Sequence, residues 1–129
     1  MGQSRPPAVL VVDDEPLVRN LVADVLRDEG YRVLEARNGR DAVRVVNQQL
    51  GPSEYPCLVL LDLMLPEMDG LRVLQQLAAP GGRVPVIAMS ASQQHLDAAR
   101  LEGADAVLQK PFDVDRLLDV VDSYCLPQT

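Results

Sequence analysis

Acidic, hydroxyl and amine side chains recur in this 129-residue chain just beyond apolar runs. Asp13, Asp14 and Glu15 follow the first run, Asp62 a later one, Ser90 the next, and Lys110 the last, immediately before Pro111. Gathered at one rim, the carboxylates would repel by about 4 kcal/mol per close pair at 4 Å and an effective dielectric near 20, so a cation must hold them ionised together. A hard, oxygen-seeking ion fits. Mg²⁺ is preferred over calcium because a site of few carboxylates that keeps water and takes a phosphate oxygen suits a small octahedral shell, and Mn²⁺ can substitute. Zinc is disfavoured: His95 is expected on a helix, and neither Cys57 nor Cys125 is placed to join a cluster. A carboxylate beside such an ion can attack phosphorus and hold the group as an aspartyl phosphate. Asp62 is the natural nucleophile because it stands alone at the end of the strand expected to be central. The transferred group spreads charge over three oxygens, and the metal ion, the Ser90 hydroxyl and Lys110 can meet it. Lys110 is the only lysine among 12 basic residues. Its compact ammonium serves one oxygen as a point charge, where a guanidinium fork is more demanding.

The elements that must position these groups are readable from periodicity. Ala8–Val12, Tyr31–Glu35, Cys57–Leu61, Val84–Met89 and Asp105–Leu108 read as strands, and the segment after each reads as a helix. In the first helix Leu17, Val18, Leu21, Val22, Val25 and Leu26 share an apolar face, and Gly30 stops it. Asn38, Ser92 and Asp113 stand where N-caps are needed, and Gly103 ends the helix that Ser92 opens. Pro52, Pro56 and Pro80-Gly81-Gly82 fall between elements, with Pro85 near the start of its strand. Five βα units with short links imply an α/β fold: a doubly wound, five-stranded parallel sheet with helices on both faces and right-handed crossovers. Ligands bind such sheets beyond the carboxyl ends of the strands, which is where the acids, serine and lysine fall.

The length fits one domain, residues 8–125, with a short extension at 1–7 and a tail at 126–129. Few aromatics leave the core to Val, Leu, Ile and Ala, which suit buried parallel strands. A net charge of −7 opposes direct binding to nucleic acid or anionic lipid. No apolar stretch is long enough to cross a bilayer and no secretory signal opens the chain, so a cytoplasmic protein with two reduced thiols, Cys57 and Cys125, is expected. Arg19, Arg40, Arg72 and Arg100 are expected on solvated helix faces, and His95 on an exposed one.

Four ordered motifs carry a resemblance over nearly the whole chain. They are Val11-Val12-Asp13-Asp14-Glu15-Pro16, Leu61-Asp62-Leu63-Met64-Leu65-Pro66-Glu67-Met68-Asp69-Gly70, Met89-Ser90-Ala91, and Gly103-Ala104-Asp105 leading to Lys110-Pro111-Phe112. Together they resemble the receiver domains of two-component response regulators. The resemblance implies a flavodoxin-like strand order and phosphorylation of Asp62 by a histidine kinase or histidine phosphotransfer protein. It further implies that Asp14 and Asp62 ligate Mg²⁺ directly, that Asp13 acts through water, and that the Met64 carbonyl completes the protein ligands. Ser90 and Lys110 would bind phosphoryl oxygens, the bond before Pro111 would be cis, and Asp69 and Gly70 would shape the turn into the next helix. Met64 and Ser92 hold positions tied in the family to hydrolysis of the phospho-aspartate; neither suits a water-orienting role, so a long-lived phosphorylated state is expected. The family's usual aromatic three positions before the lysine is Val107 here. A signal to an unknown downstream protein would then rely on backbone movement of the loop after Ser90 and of the helix from Ser92, with the last two helices and their strand as the bistable element.

Two rival functions differ in class. A constitutive interaction module that keeps the fold without phosphorylation would be marked by loss of an acid, the serine or the lysine, and none is lost. A phosphatase or phosphotransferase would place a second carboxylate close after its nucleophile, where Leu63 and Met64 stand. A single-domain regulator and a piece of a hybrid kinase or longer regulator remain equally open, as does oligomeric state.

Overall fold

The computed structural model describes residues 7–47, 56–65, 70–77 and 84–125. Five strands, β1 (Ala8–Val12), β2 (Arg32–Ala36), β3 (Leu58–Asp62), β4 (Val86–Ser90) and β5 (Ala106–Gln109), alternate with five helices. The helices are α1 (Pro16–Asp28), α2 (Gly39–Asn47), α3 (Gly70–Leu77), α4 (Gln93–Leu101) and α5 (Val114–Tyr124). All pairings are parallel, in the order β2-β1-β3-β4-β5. The doubly wound α/β fold expected from the sequence is therefore present, with β3 at the centre and the switch in strand order between β1 and β3.

β1, β3 and β4 are buried at every position because helices cover both faces. Alternate residues feed two cores. Leu10, Val12, Val59, Leu61, Val86 and Ala88 pack with residues of α2, α3 and α4. Val9, Val11, Leu58, Leu60, Ile87 and Met89 pack with α1 and α5. Ser92 and Asp113 cap α4 and α5 by accepting the His95 and Arg116 amide N–H groups, and Asn38 accepts that of Asp41 at 2.8 Å. Gly30 and Gly103 close α1 and α4 at φ 100° and 112°, the left-handed region that glycine enters without a Cβ clash.

Several expectations need correction. Four strands end one residue beyond the expected limit, so Asp62 and Ser90 are the last residues of β3 and β4 rather than the first after them. Apolar runs report burial, whereas ladder membership follows pairing, and Asp62 is paired with Met89, and Ser90 with Gln109. Leu17 and Leu21 are 85% and 64% exposed, while Ala23 is buried with Val22 and Leu26. At about 100° per residue, Leu17 and Leu21 lie some 100–140° around α1 from Val22, beyond the arc the sheet covers.

The cysteines are not reduced thiols. Cys57 and Cys125 form a disulfide across 68 positions of sequence, with their Cα atoms 5.8 Å apart. Neither residue is near the other in the chain, but the fold sets the entrance of β3 beside the end of α5. His95 is half-buried rather than exposed. Most of the 1–7 extension, the 126–129 tail, Asp69, Pro52 and the Pro80-Gly81-Gly82 turn lie outside the described residues.

Candidate functional site

The carboxyl ends of β1, β3, β4 and β5 converge on one group of polar side chains. Asp13 and Asp62 are buried and Asp14 is exposed, and one carboxylate oxygen from each lies within 4.8 Å of the others. Among the described residues no other such cluster of acidic, histidine or cysteine ligands occurs. The donors are oxygens only, two of the acids are buried and the third, Asp14, is exposed to water. That fits a hard divalent cation which retains water; Asp13, Asp14 and Asp62 are the groups brought together that could hold it.

Each acid has a defined seat. The Asp13 amide donates to the Ala36 carbonyl at 3.1 Å, tying the end of β1 to β2, and Asp13 Oδ1 accepts the Glu15 N–H at 3.0 Å. Glu15 is the N-cap residue of α1 but makes no side-chain cap bond. Asp62 Oδ1 accepts the Met64 N–H at 3.0 Å. Lys110 Nζ donates to Asp62 Oδ2 at 3.2 Å and lies 3.7 Å from Asp13 Oδ2. The burial of Asp13 pushes its carboxyl above the ordinary range, with Asp62 and Asp14 adding to the rise and the Glu15 hydrogen bond and Lys110 opposing it. A second positive charge beside Asp13 would relieve that penalty.

Lys110 is placed by backbone contacts. Its N–H donates to the Ser90 carbonyl at 2.9 Å, and its bond to Pro111 is cis, as expected. Ser90 is buried, and its hydroxyl oxygen accepts the Ser92 N–H at 3.0 Å. A hydroxyl that accepts this bond keeps a proton of its own to donate. Met64 sits beside Asp62 with its side chain 60% exposed. The Ser92 hydroxyl oxygen accepts the His95 N–H at 3.2 Å. Gly70 passes against the Leu63 backbone so closely that any Cβ would collide with it, which explains the glycine eight positions after Asp62. Val107 lies opposite Ala88 in the β4–β5 ladder and packs on the α2–α4 side of the sheet.

Arg19 was missed. Read as part of a solvated face, it instead donates from an Nη to the Asp13 carbonyl at 2.8 Å and from Nε to Glu35 Oε1 at 3.1 Å. Glu35 Oε2 also receives Arg27 at 3.3 Å. Two arginines of α1 thus meet one acid of β2, and one of them grips the backbone of the loop that carries the site acids. The available signal was a spacing: Arg19 stands one helical turn beyond Glu15, able to reach back over the start of α1.

A family model described as the response regulator receiver domain matches residues 9–122. Sporulation initiation phosphotransferase F of Bacillus subtilis (strain 168) is 35% identical over 118 residues, covering 90% of this chain and 91% of that protein. The polar-differentiation response regulator DivK of Brucella anthropi is 32% identical over 123 residues, covering 92% of this chain and 96% of that protein. Among solved structures, the receiver domain of a Pseudomonas aeruginosa sensor histidine kinase, with a magnesium ion coordinated in its active site cleft, superposes with a TM-score of 0.78 at 28% identity. That match covers 92% of this chain and 96% of the other. The chain spans about half the length of other curated relatives, the transcriptional regulatory proteins, at 45% and 49%.

Proposed function

Since the chain belongs to the response regulator receiver domain family, we propose that Asp62 accepts a phosphoryl group from a phosphohistidine of a histidine kinase or phosphotransfer protein. The observation that carries this is the meeting of Asp13, Asp14 and Asp62 within 4.8 Å with Lys110 at 3.2 Å from Asp62. A structural ion pair needs one acid. Three ionised acids at one rim repel more than Lys110 alone offsets, which favours a further cation there.

The transfer breaks the phosphorus–nitrogen bond of the donor and forms a bond from phosphorus to an Asp62 carboxylate oxygen. Asp62 is oriented for attack through Oδ1 by the Met64 amide and through Oδ2 by Lys110. Mg²⁺ or Mn²⁺, held by Asp13, Asp14, Asp62 and the Met64 carbonyl, would neutralise charge on the transferred group. As negative charge moves from Asp62 onto the phosphoryl oxygens, Lys110 follows it, and the Ser90 hydroxyl donates to another oxygen. The Ser90 carbonyl already accepts the Lys110 N–H, so any shift of one is felt by the other. The chain is regulatory: it takes and loses the group itself rather than turning over an external substrate, and the change alters its affinity for a protein partner. We place it in the cytoplasm, where such donors reside; no described helix is long and apolar enough to cross a membrane.

The test is incubation of the chain with a small phosphodonor with and without Mg²⁺. An acid-stable, base-labile adduct that needs the metal and is absent from Asp62→Asn supports the reading. Equal labelling of Asp62→Asn, or none of the wild type, would sink it.

A further inference from the structure

The disulfide lies at the far end of β3 from Asp62. Cys57 leads into β3, its amide donating to the Ala8 carbonyl at 2.7 Å, while Asp62 ends the strand. The five residue steps from Cys57 to Asp62 put roughly 16 Å between the two ends. Cys125 is the C-cap of α5, is 5% exposed, and its amide donates to the Val121 carbonyl at 2.8 Å. The bond therefore ties the last turn of α5 to the entrance of the central strand. It closes a loop containing Asp62, Ser90 and Lys110, but not Asp13 or Asp14.

The end of α5 has a second tie that is not covalent. The buried Tyr31 hydroxyl lies within hydrogen-bonding reach of both the Asp122 carboxylate and the Cys125 carbonyl. Cys125 is buried in the α1–α5 core and Cys57 packs against it partly buried, surroundings in which a free thiol behaves as a small apolar side chain. The fold is thus held at this point whether or not the sulfurs are joined. Cys57 is half-buried where Cys125 is buried, which makes it the more accessible of the two residues to a reductant, and the chain has 2 cysteines, so no third thiol of this chain can scramble the pair. We propose that Cys57 and Cys125 form a thiol–disulfide exchange site, addressed by dithiol reductants, that sets how firmly the end of α5 is held independently of the acceptor site.

The exchange balances with one dithiol. Its thiolate attacks the Cys57 sulfur, the sulfur–sulfur bond breaks, and Cys125 leaves as the thiolate. The reductant's second thiol then displaces Cys57 from the mixed disulfide, closing its own ring. The reductant loses two electrons and two protons, and both protons end on Cys57 and Cys125. Reduction restores the unfolded chain's freedom across 68 positions, so the thermal midpoint falls by on the order of 10 °C while the fold persists.

The experiment uses the whole chain without denaturant. Thiols are counted by alkylation and intact mass before dithiothreitol, after it, and after its removal and exposure to oxidised glutathione. None, two and none again is the expected series, with the chain monomeric throughout by non-reducing gel. The reduced form should melt about 10 °C lower, and the Cys57→Ser/Cys125→Ser variant should melt like it and ignore reductant. The labelling rate with a small phosphodonor should be equal in both forms. Free thiols before reduction that resist oxidation, a disulfide that opens only in denaturant, an intermolecular disulfide, or a labelling rate that follows the thiol count would each overturn the proposal. The thiol count stands apart from the acceptor reading, because it can be made on a chain that takes no phosphoryl group.

Discussion

Lys110 Nζ stands 3.2 Å from Asp62 Oδ2, across 48 positions of sequence, because the ends of β3 and β5 flank the end of β4 at one rim. The ammonium is shared with Asp13, at 3.7 Å, so the chain's one lysine is the cation common to both buried acids. Its side chain is 27% exposed, which weakens its field relative to a water-excluded donor.

Lys110→Ala is therefore expected to slow labelling of Asp62 by a small phosphodonor by roughly 10- to 100-fold, at or below the lower end of what a preorganised donor supplies in a dry site. Lys110→Arg should recover only part of the rate, because the planar fork cannot occupy the ammonium's place between two carboxylates. Rates measured at saturating Mg²⁺ check this.

Asp13→Asn should stabilise the metal-free chain at neutral pH. Unfolded Asp13 ionises near pH 3.8, but burial raises the folded value. Between the two values the native state binds more protons, so this stability contribution is full below pH 3.8 and lost as pH rises through the folded value. The variant escapes that loss. Thermal melts without metal should show the variant above wild type by a few degrees at pH 7, the gap closing towards pH 3.8 and also on addition of Mg²⁺.

Met64→Asn should shorten the life of phosphorylated Asp62. The Met64 side chain is exposed beside the acceptor, yet its thioether is at best a weak hydrogen-bond acceptor for an attacking water. An amide in its place both donates and accepts. Loss of phosphate followed after donor removal should be several-fold faster in the variant, and an unchanged lifetime would count against this role for position 64.

Tyr31→Phe should weaken the chain by about 1–2 kcal/mol at neutral pH, the loss expected when a buried hydroxyl's acceptors go unpaired. Burial, together with the hydrogen bond to Asp122, raises the phenol well above its ordinary value of 10.0. Above pH 10 the unfolded chain releases this proton while the folded chain keeps it, so stability falls as pH rises. Denaturation between pH 8 and 11 should show wild type losing stability in the alkaline range and the variant losing less.

Much of the fold was legible because five apolar runs and their following helices are cleanly separated, and the rim followed from topology: Asp13, Asp14, Asp62, Ser90 and Lys110 each close or follow a strand. The caps at Ser92 and Asp113 were legible for the same reason, since capping is local in sequence. What escaped depends on tertiary proximity. Arg19 reads as one more charge on a helix until Glu35 and the Asp13 carbonyl are placed beside it. The Cys57–Cys125 bond joins residues whose approach is set by the packing of α5 on the sheet. Leu17 and Leu21 have the period of a buried stripe, but the sheet is narrower than the stripe. The ends of β3 and β4 slipped because Asp62 and Ser90 are polar yet paired.

Asp62 as the acceptor is tested most directly by reducing the phosphodonor-treated chain with borohydride, which converts an acyl phosphate to the alcohol, and mapping the modified residue by peptide mass spectrometry. Homoserine at position 62 alone, dependent on Mg²⁺, is the expected result; homoserine at position 13 or 14, or at no position, contradicts the account.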